Sequence, residues 1–332
     1  MAWKNPWYDP DKAHHTPTGF RNPEPESRAP DALKRWRAER KANGFPHAPV
    51  GGYGEFTARW WQPVEHEVEG DGVWWLGHAS LLLRISGRYI LTDPVFSRRA
   101  SPLFFYGPAR KTPSPLKIEQ LPQLDAVLIS HNHYDHLDSA TLRQIRRRFP
   151  NVHYYVPLGL GNWLRKRGVT RYSELDWWQS AKLDDLTITS VPARHWSMRT
   201  PWDRNRSLWC GWVVASSELR FWFSGDSGVS PSLAEIATRL GPIDAAALPI
   251  GAFAPRWFMS QSHMDPQASV ALWQALERPV TIPMHWAVFE LTDEALDEPP
   301  QELARALAAA GEQADDWRFS PRRIGEFIPL VK

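Results

Sequence analysis

Six residues, His131-Asn-His133-Tyr-Asp135-His136, follow directly on the apolar run Leu124, Ala126, Val127, Leu128 and Ile129. Such a run reads as a strand buried on both faces. Behind the cluster, Leu142, Ile145 and Phe149 recur at helical spacing, with Asp138 or Ser139 to cap the start and Pro150 to end it. The cluster therefore occupies a strand-to-helix loop, where rigid elements on either side hold the chemistry in place. Asp138 belongs to the cap or stands in support behind the cluster.

An isolated histidine is ordinarily a satisfied polar group. Four metal-affine side chains in six positions behind a buried strand are a different matter. Residues two apart in an extended or turning loop project to one side, so His131 and His133 grip one cation while Asp135 and His136 turn to a neighbouring position. Further ligands come from strand ends: SVPARH closes on His195, FWFSGD on Asp226 and TIPMH on His285. The expected arrangement gives one metal His131, His133 and His195, gives the other Asp135, His136 and His285, and sets Asp226 between them. A carboxylate bridges two cations readily and a neutral imidazole does not. With a bridging hydroxide the cluster carries a formal charge of plus one (two divalent ions, two carboxylates and the hydroxide), which suits a phosphodiester monoanion.

The remaining pattern is mixed. VWWLGH, SLLLRIS and RYILTDP read as consecutive antiparallel strands. VHYYVPL, LTITSVPARH, FWFSGDSG, IDAAALPIG and VTIPMHW read as further strands, with helices in GNWLRKRG, PSLAEIATRLG and DPQASVALWQALE. Residues 1–50 carry turn signals and one basic helical stretch, DALKRWRAERKANG, and read as an irregular arm; residues 51–332 read as one domain. His14 and His15 in the arm show no partner pattern and are expected to play no role. The arginine run 146–148 reads as the solvent face of a helix.

Lys plus Arg (39) nearly balance Asp plus Glu (37), which removes the single-sign field of a dedicated nucleic-acid binder. The lone Cys210 lies in the apolar run SLWCGWVV, so it reads as a buried thiol and suits a reducing compartment. The segment MAWKNPWYDPDKAHH has no apolar signal core, and no apolar stretch approaches the ~20 residues of a membrane span. The expectation is a soluble cytoplasmic protein, open to peripheral contact with a membrane. Some of the 19 tryptophans belong to the core, and others line an apolar groove or sit at a membrane surface.

The HxHxDH cluster, followed in order by His195, Asp226 and His285, resembles the metallo-β-lactamase superfamily. The stretches WLGHAS, LTDPVFSRRASP, DAVLISHNHYDHLD, VPLGL, ELDWW, GPIDAAALPIGAFAPRWFMSQSHMDPQASV, MHW and EPP resemble one branch of it, the N-acylphosphatidylethanolamine-hydrolysing phospholipase D proteins, over about residues 73–300. The resemblance implies an α/β (α+β) fold, a four-layer αββα sandwich with a dinuclear site at one edge between the sheets. It implies two Zn²⁺ ions, although iron or manganese suits similar donors. It also implies hydrolysis of a phospholipid phosphodiester to phosphatidic acid and an N-acylethanolamine, and a chain compatible with a homodimer; the balanced charge, for its part, leads to the expectation of no nucleic-acid partner.

All seven ligands carry over: His131, His133, Asp135, His136, His195, Asp226 and His285. Asp135 and His263 are the catalytic candidates, His263 as a substrate contact near the phosphate; a loop or capping histidine is its alternative. His78 and Asp93 either support the ligands from behind or form turns. Trp257 and Phe258 either wall a lipid groove or belong to the core. Two rival readings stand. The same centre would serve a lactone, a cyclic phosphodiester or a β-lactam, and a non-catalytic membrane-associated binding protein would keep the fold alone.

Overall fold

The computed structural model describes residues 3–26 and 28–330. The arm holds a two-strand hairpin, β1 (His15–Thr16) and β2 (Gly19–Phe20), then helix α1 (Ala32–Asn43), in the basic stretch where a helix was expected. Helix α2 (Gly52–Trp60) leads into the body.

Strand β3 (Gly72–Gly77) shows why the body is layered. Its side chains alternate, with Val73 and Trp75 in one apolar cluster and Trp74 and Leu76 in another, so the strand is buried on both faces. With β4 (Ser80–Ile85) and β5 (Arg88–Thr92) it forms the expected antiparallel run. The chain continues through β6 (Ala126–Leu128), α3 (Ser139–Arg148), β7 (His153–Pro157), α4 (Gly161–Arg165) and β8 (Tyr172–Leu175), each new strand parallel to the last.

A second sheet follows from β9 (Ser180–Leu183), β10 (Leu186–Val191), β11 (Gly211–Ala215) and β12 (Arg220–Phe223), all antiparallel neighbours. It is completed by α5 (Pro231–Leu240), β13 (Ala245–Pro249), α6 (Arg256–Met259), α7 (Pro266–Ala275) and β14 (Val280–Met284), with β12, β13 and β14 parallel. Helix α8 (Glu298–Ala309) packs on α7, and β15 (Phe327–Pro329) returns to pair with β3. The sheets have seven and six strands. Between them lies the large cluster holding Trp75, Leu81, Trp212 and Phe221; Leu142, Ile145 and Leu164 of α3 and α4 cover the outer face of the first sheet. Leu233, Ile236, Val270 and Trp273 of α5 and α7 cover the second. These are the four layers expected.

Asp138 caps α3 by accepting from the Ala140 amide at 3.0 Å, and Cys210 is buried. Among the described residues no helix is long and apolar enough to cross a membrane.

The expectation that His14 and His15 do nothing is corrected. Their Nε2 atoms sit 2.8 and 3.0 Å from the two oxygens of buried Asp176, joined by Lys12 Nζ at 2.7 Å, and His14 stacks on Trp177 at 4.2 Å. Asp176 lies within ELDWW, over 160 residues downstream, so no local pattern announced the pairing.

This staple is sensitive to acid. Burial opposes ionisation of Asp176, but its bonds from His14 and Lys12 win and hold the carboxyl well below its usual range. Its contribution is therefore complete above an ordinary carboxylate pKa of about 4 and is lost as the pH falls further. Burial lowers the His15 pKa from 6.5, which adds a loss beginning below that value. Thermal melting should thus decline below about pH 6.5 and again below about pH 4. Asp176→Asn should lower Tm at neutral pH and remove most of the second decline.

Candidate metal centre

The seven residues expected as ligands gather where strand ends of both sheets meet. His131, His133, Asp135 and His136 ride the β6–α3 loop, His195 follows β10, Asp226 follows β12 and His285 follows β14 directly. In open α/β sheets the C-terminal ends of parallel strands are where ligands bind, because the crossover loops diverge there.

Hydrogen bonding fixes which ring nitrogen each of three histidines leaves bare in its neutral form. The Ser130 hydroxyl donates to Asp93 and so accepts from His131 Nδ1 at 2.9 Å, leaving His131 Nε2 without a proton. His195 Nδ1 donates to the Ser262 carbonyl at 2.9 Å, and His136 Nδ1 donates to Asp93 at 2.7 Å, with the same result for their Nε2 atoms. Asp93 thus stands behind His136, and Ser130 and Ser262 do the same for the other two. The two serines escaped sequence reasoning. Only the position of Ser130 beside His131 hinted at it.

The bare nitrogens converge in two groups. In the first, His131 Nε2 and His195 Nε2 face His133 Nδ1 at 2.8 and 3.2 Å. In the second, His136 Nε2 lies 3.2 Å from His285 Nε2, 3.3 Å from an Asp135 oxygen and 3.2 Å from Asp226 Oδ2, while Asp226 Oδ1 is 3.0 Å from His285 Nε2. Asp226 Oδ2 also lies 3.7 Å from His195 Nε2 and 4.0 Å from His131 Nε2, so this carboxylate sits between the groups.

In the first group neutral imidazoles crowd their ring nitrogens together in a dry pocket, and in the second two carboxylates draw positive charge onto two imidazoles; a cation at the centre of each group would answer both. Four donors around a zinc ion stand about 3.3 Å apart if each bond is ~2.05 Å. The spacing in both groups fits that value.

The electrostatics agree. Burial keeps His131 and His133 far below the normal imidazole pKa, and burial takes His195 down to about 4, so all three are neutral and ready to ligate. Burial works against charge on His136 and His285 too, yet Asp226 and Asp135 raise His136 well above the ordinary value and lift His285 to about 9. The two carboxylates demand positive charge at this spot.

His78 does both things expected of it: it sits in the turn between β3 and β4, and it is buried with its Nε2 3.0 Å from the Asp135 carboxylate. His78, Asp93 and His285 all hold positive φ (54°, 33° and 65°), a backbone cost of about 1–3 kcal/mol each that clusters at sites whose surroundings over-determine them. Gly225 is needed for a related reason. With φ at +60°, a Cβ there would come within 2.7 Å of Ser130 Cβ and 2.9 Å of the Cys210 carbonyl.

Above the donors lies a cavity of about 400 Å³. His133, Asp135, Asp226 and His263 form its polar end; Leu33, Trp36, Met198, Phe258 and Met259 are among its apolar walls. His263 Nδ1 is 3.8 Å from Asp226 Oδ2 and has no hydrogen-bond partner among the described residues. Phe258 belongs both to the cavity and to a small packed cluster, stacking on Trp36 at 4.9 Å. Trp257 does not line this cavity; it is 42% exposed and carries the Arg35 guanidinium on its ring at 4.2 Å. The arm supplies much of the wall and is tied to the centre, since Asn22 Nδ2 donates to the His195 carbonyl at 2.9 Å and Arg28 to the Phe258 carbonyl at 3.0 Å.

Residues 88–286 match the model of the beta-lactamase superfamily domain. The chain belongs to the metallo-β-lactamase superfamily. It is 36% identical to the N-acyl-phosphatidylethanolamine-hydrolyzing phospholipase D 1 of Caenorhabditis elegans, over 79% of this chain and 76% of that protein. It is 42% identical to an uncharacterized protein of Mycobacterium tuberculosis over 77% of this chain, and spans 66% of that protein's length. Within the superfamily it falls among the metal-dependent hydrolases, in the branch of the phospholipase D proteins just named. The crystal structure of a diiron β-hydroxylase from Streptomyces venezuelae shares the fold, with a TM-score of 0.57 and 24% identity over 80% of this chain and 55% of the other.

Proposed function

We propose that this protein is a dinuclear phosphodiester hydrolase acting on N-acylphosphatidylethanolamine-like lipids, with phosphatidic acid and an N-acylethanolamine as products. The observation that carries this reading is the cavity: its floor is the donor cluster and its walls are largely apolar, with the cations Arg28, Arg37 and Arg204 among them. His131, His133 and His195 would hold one ion, Asp135, His136 and His285 the other, and Asp226 both. Zinc suits the nitrogen-rich, four-donor spacing. Two bound divalent ions supply a water of lowered pKa and offset charge on the phosphoryl oxygens.

The chain's own residues do the rest. Apolar walls exclude bulk water from the floor and accept hydrocarbon. Burial drives the His263 pKa far down, so its ring offers the cavity a hydrogen bond from a neutral group. Asp135 takes the His78 hydrogen bond on one oxygen, which fixes how its carboxylate is presented to the cluster.

Purified protein should contain about two metal equivalents and release phosphatidic acid from N-acylphosphatidylethanolamine, read by mass spectrometry beside a simple aryl phosphodiester. Turnover confined to lactones or β-lactams would overturn the reading. His263→Gln should cut kcat roughly a hundredfold, the scale of losing one transition-state donor, with metal content unchanged. If kcat falls only together with metal content and returns at saturating zinc, His263 is a ligand and not a substrate contact.

A further inference from the structure

The loop between β5 and β6 carries four consecutive apolar side chains into solvent. Leu103 is 44% exposed, Phe104 89%, Phe105 64% and Tyr106 71%. Soluble surfaces rarely leave a contiguous aromatic patch uncovered, and one that persists marks an interaction site.

The tip stands on a fixed base. Arg99 and Ala109 form an antiparallel bridge, the Ala100 amide donates to the Pro108 carbonyl at 3.0 Å, and the Arg110 amide to the Arg98 carbonyl at 2.8 Å. Arg99 Nη1 closes the loop on the Gly107 carbonyl at 2.6 Å. Just below, the Ser97 amide donates to Asp138 and the Phe96 amide to Thr141 Oγ1, which binds the base to the start of α3. The aromatic tip is therefore held outward by the frame.

Beside the tip runs a groove of about 650 Å³ whose charge is one-sided. Arg98, Arg143 and Lys166 line it, are exposed, and make no ion pair among the described residues. Arg167 and Arg199 add two more cations, held by Ser139 Oγ and by the Asn132 and Leu137 carbonyls. The groove's carboxylates, Asp138 and Asp203, are already occupied by backbone amides. Trp202, 75% exposed, adds an aromatic ring on the turn between Thr200 and Asp203 of the groove wall.

Apolar rings at the tip, with unpaired cations around them, are the complement of an anionic bilayer: rings enter the acyl boundary while Arg and Lys remain among the headgroups. We infer that Leu103–Tyr106, with Arg98, Arg143, Lys166 and Trp202, forms a docking surface for anionic phospholipid membranes. The segments that wall the groove, at 134–140 and 199–203, continue those that wall the metal-centre cavity at 133–135 and 196–204. Docking thus brings the cavity beside the lipid surface. The inference deepens the lipid-substrate reading but is tested without turnover.

The experiment is co-sedimentation of the full chain with vesicles of phosphatidylcholine alone and of phosphatidylcholine with phosphatidylserine. Wild type should bind the anionic vesicles and release as salt rises. Phe104→Ser/Phe105→Ser should weaken binding roughly tenfold or more, and Arg98→Gln/Arg143→Gln/Lys166→Gln should erase most of the anionic preference, at about fivefold per charge. Unchanged metal content and melting temperature verify that both variants fold. Equal binding to both vesicle types, or full binding by the double variant, overturns the inference. So does a dimer lost in the double variant while wild type ignores vesicles, which would make a second copy the occupant. Hydrolysis of a soluble aryl phosphodiester is read separately, so failure of the membrane surface and failure of the phosphodiesterase reading leave different signatures.

Discussion

Asp226→Ala is expected to abolish turnover, by roughly a thousandfold or more, and to leave the purified protein short of metal without unfolding it. The size follows from position. Among the described residues Asp226 is the one side chain whose carboxylate reaches both donor groups, with oxygens 3.0 Å from His285 Nε2, 3.2 Å from His136 Nε2 and 3.7 Å from His195 Nε2. Its removal would take a unit of negative charge from beneath the two ions proposed there and the link proposed between them, and about 4 kcal/mol of transition-state stabilisation corresponds to a thousandfold. The fold should survive, because the backbone around residue 226 is set by β12 pairing and by Gly225 against Ser130. Metal analysis and kcat/KM measured together decide the matter. A metal-replete Asp226→Ala protein with near wild-type rates would remove Asp226 from the centre.

The second large effect belongs to a residue that is not a proposed ligand. Asp93→Asn should cost 10–100-fold in metal affinity, the usual scale for losing the partner behind a ligating histidine. Asp93 receives His136 Nδ1–H at 2.7 Å together with the Ser130 amide at 2.7 Å and the Ser130 hydroxyl. An asparagine retains the shape and one acceptor. If its amide nitrogen turns to His136, it donates to Nδ1, forces the proton onto Nε2 and blocks the lone pair that faces the metal position. Titration with zinc, scored by affinity and by activity at saturating metal, separates this from unfolding. Weak binding with activity restored at high zinc is the expected pattern. Unaltered affinity would make Asp93 a turn residue only.

The sequence discloses most where one element carries its own meaning. The strand-loop-helix around residues 131–136 could be read because buried run, donors and cap are adjacent, and His195, Asp226 and His285 because each ends an apolar strand. Apolar runs and helical spacing likewise exposed β3 to β7, β10, β12 to β14 and helices α3, α5 and α7, while the grouping of strands into two sheets came from the family resemblance. What stayed hidden depends on pairings across long separations. The partner of His14 and His15 is 162 and 161 residues away. Ser262 supports His195 through a backbone carbonyl, which leaves no trace in side-chain type. Trp257 and Phe258 are neighbours in sequence with opposite surroundings, because the short helix α6 turns one ring outward and the other into the cavity.

The arm has a consequence for how the molecule matures. Its anchors lie far along the chain: Arg28 on Phe258 is a separation of 230 residues, Trp36 on Asp293 one of 257, and Arg40 on Leu291 one of 251. Loops this long close late, after nearer contacts have reduced the entropy to be lost. The donors sit on loops at the strand ends of the two sheets and the arm reaches them only through Asn22 on the His195 carbonyl, whereas the wall built from Leu33 and Trp36 is made by the arm itself. Metal uptake should therefore precede completion of the cavity during refolding, giving a transient species that is loaded yet open on one side, and substrate selectivity should be the last property the protein acquires.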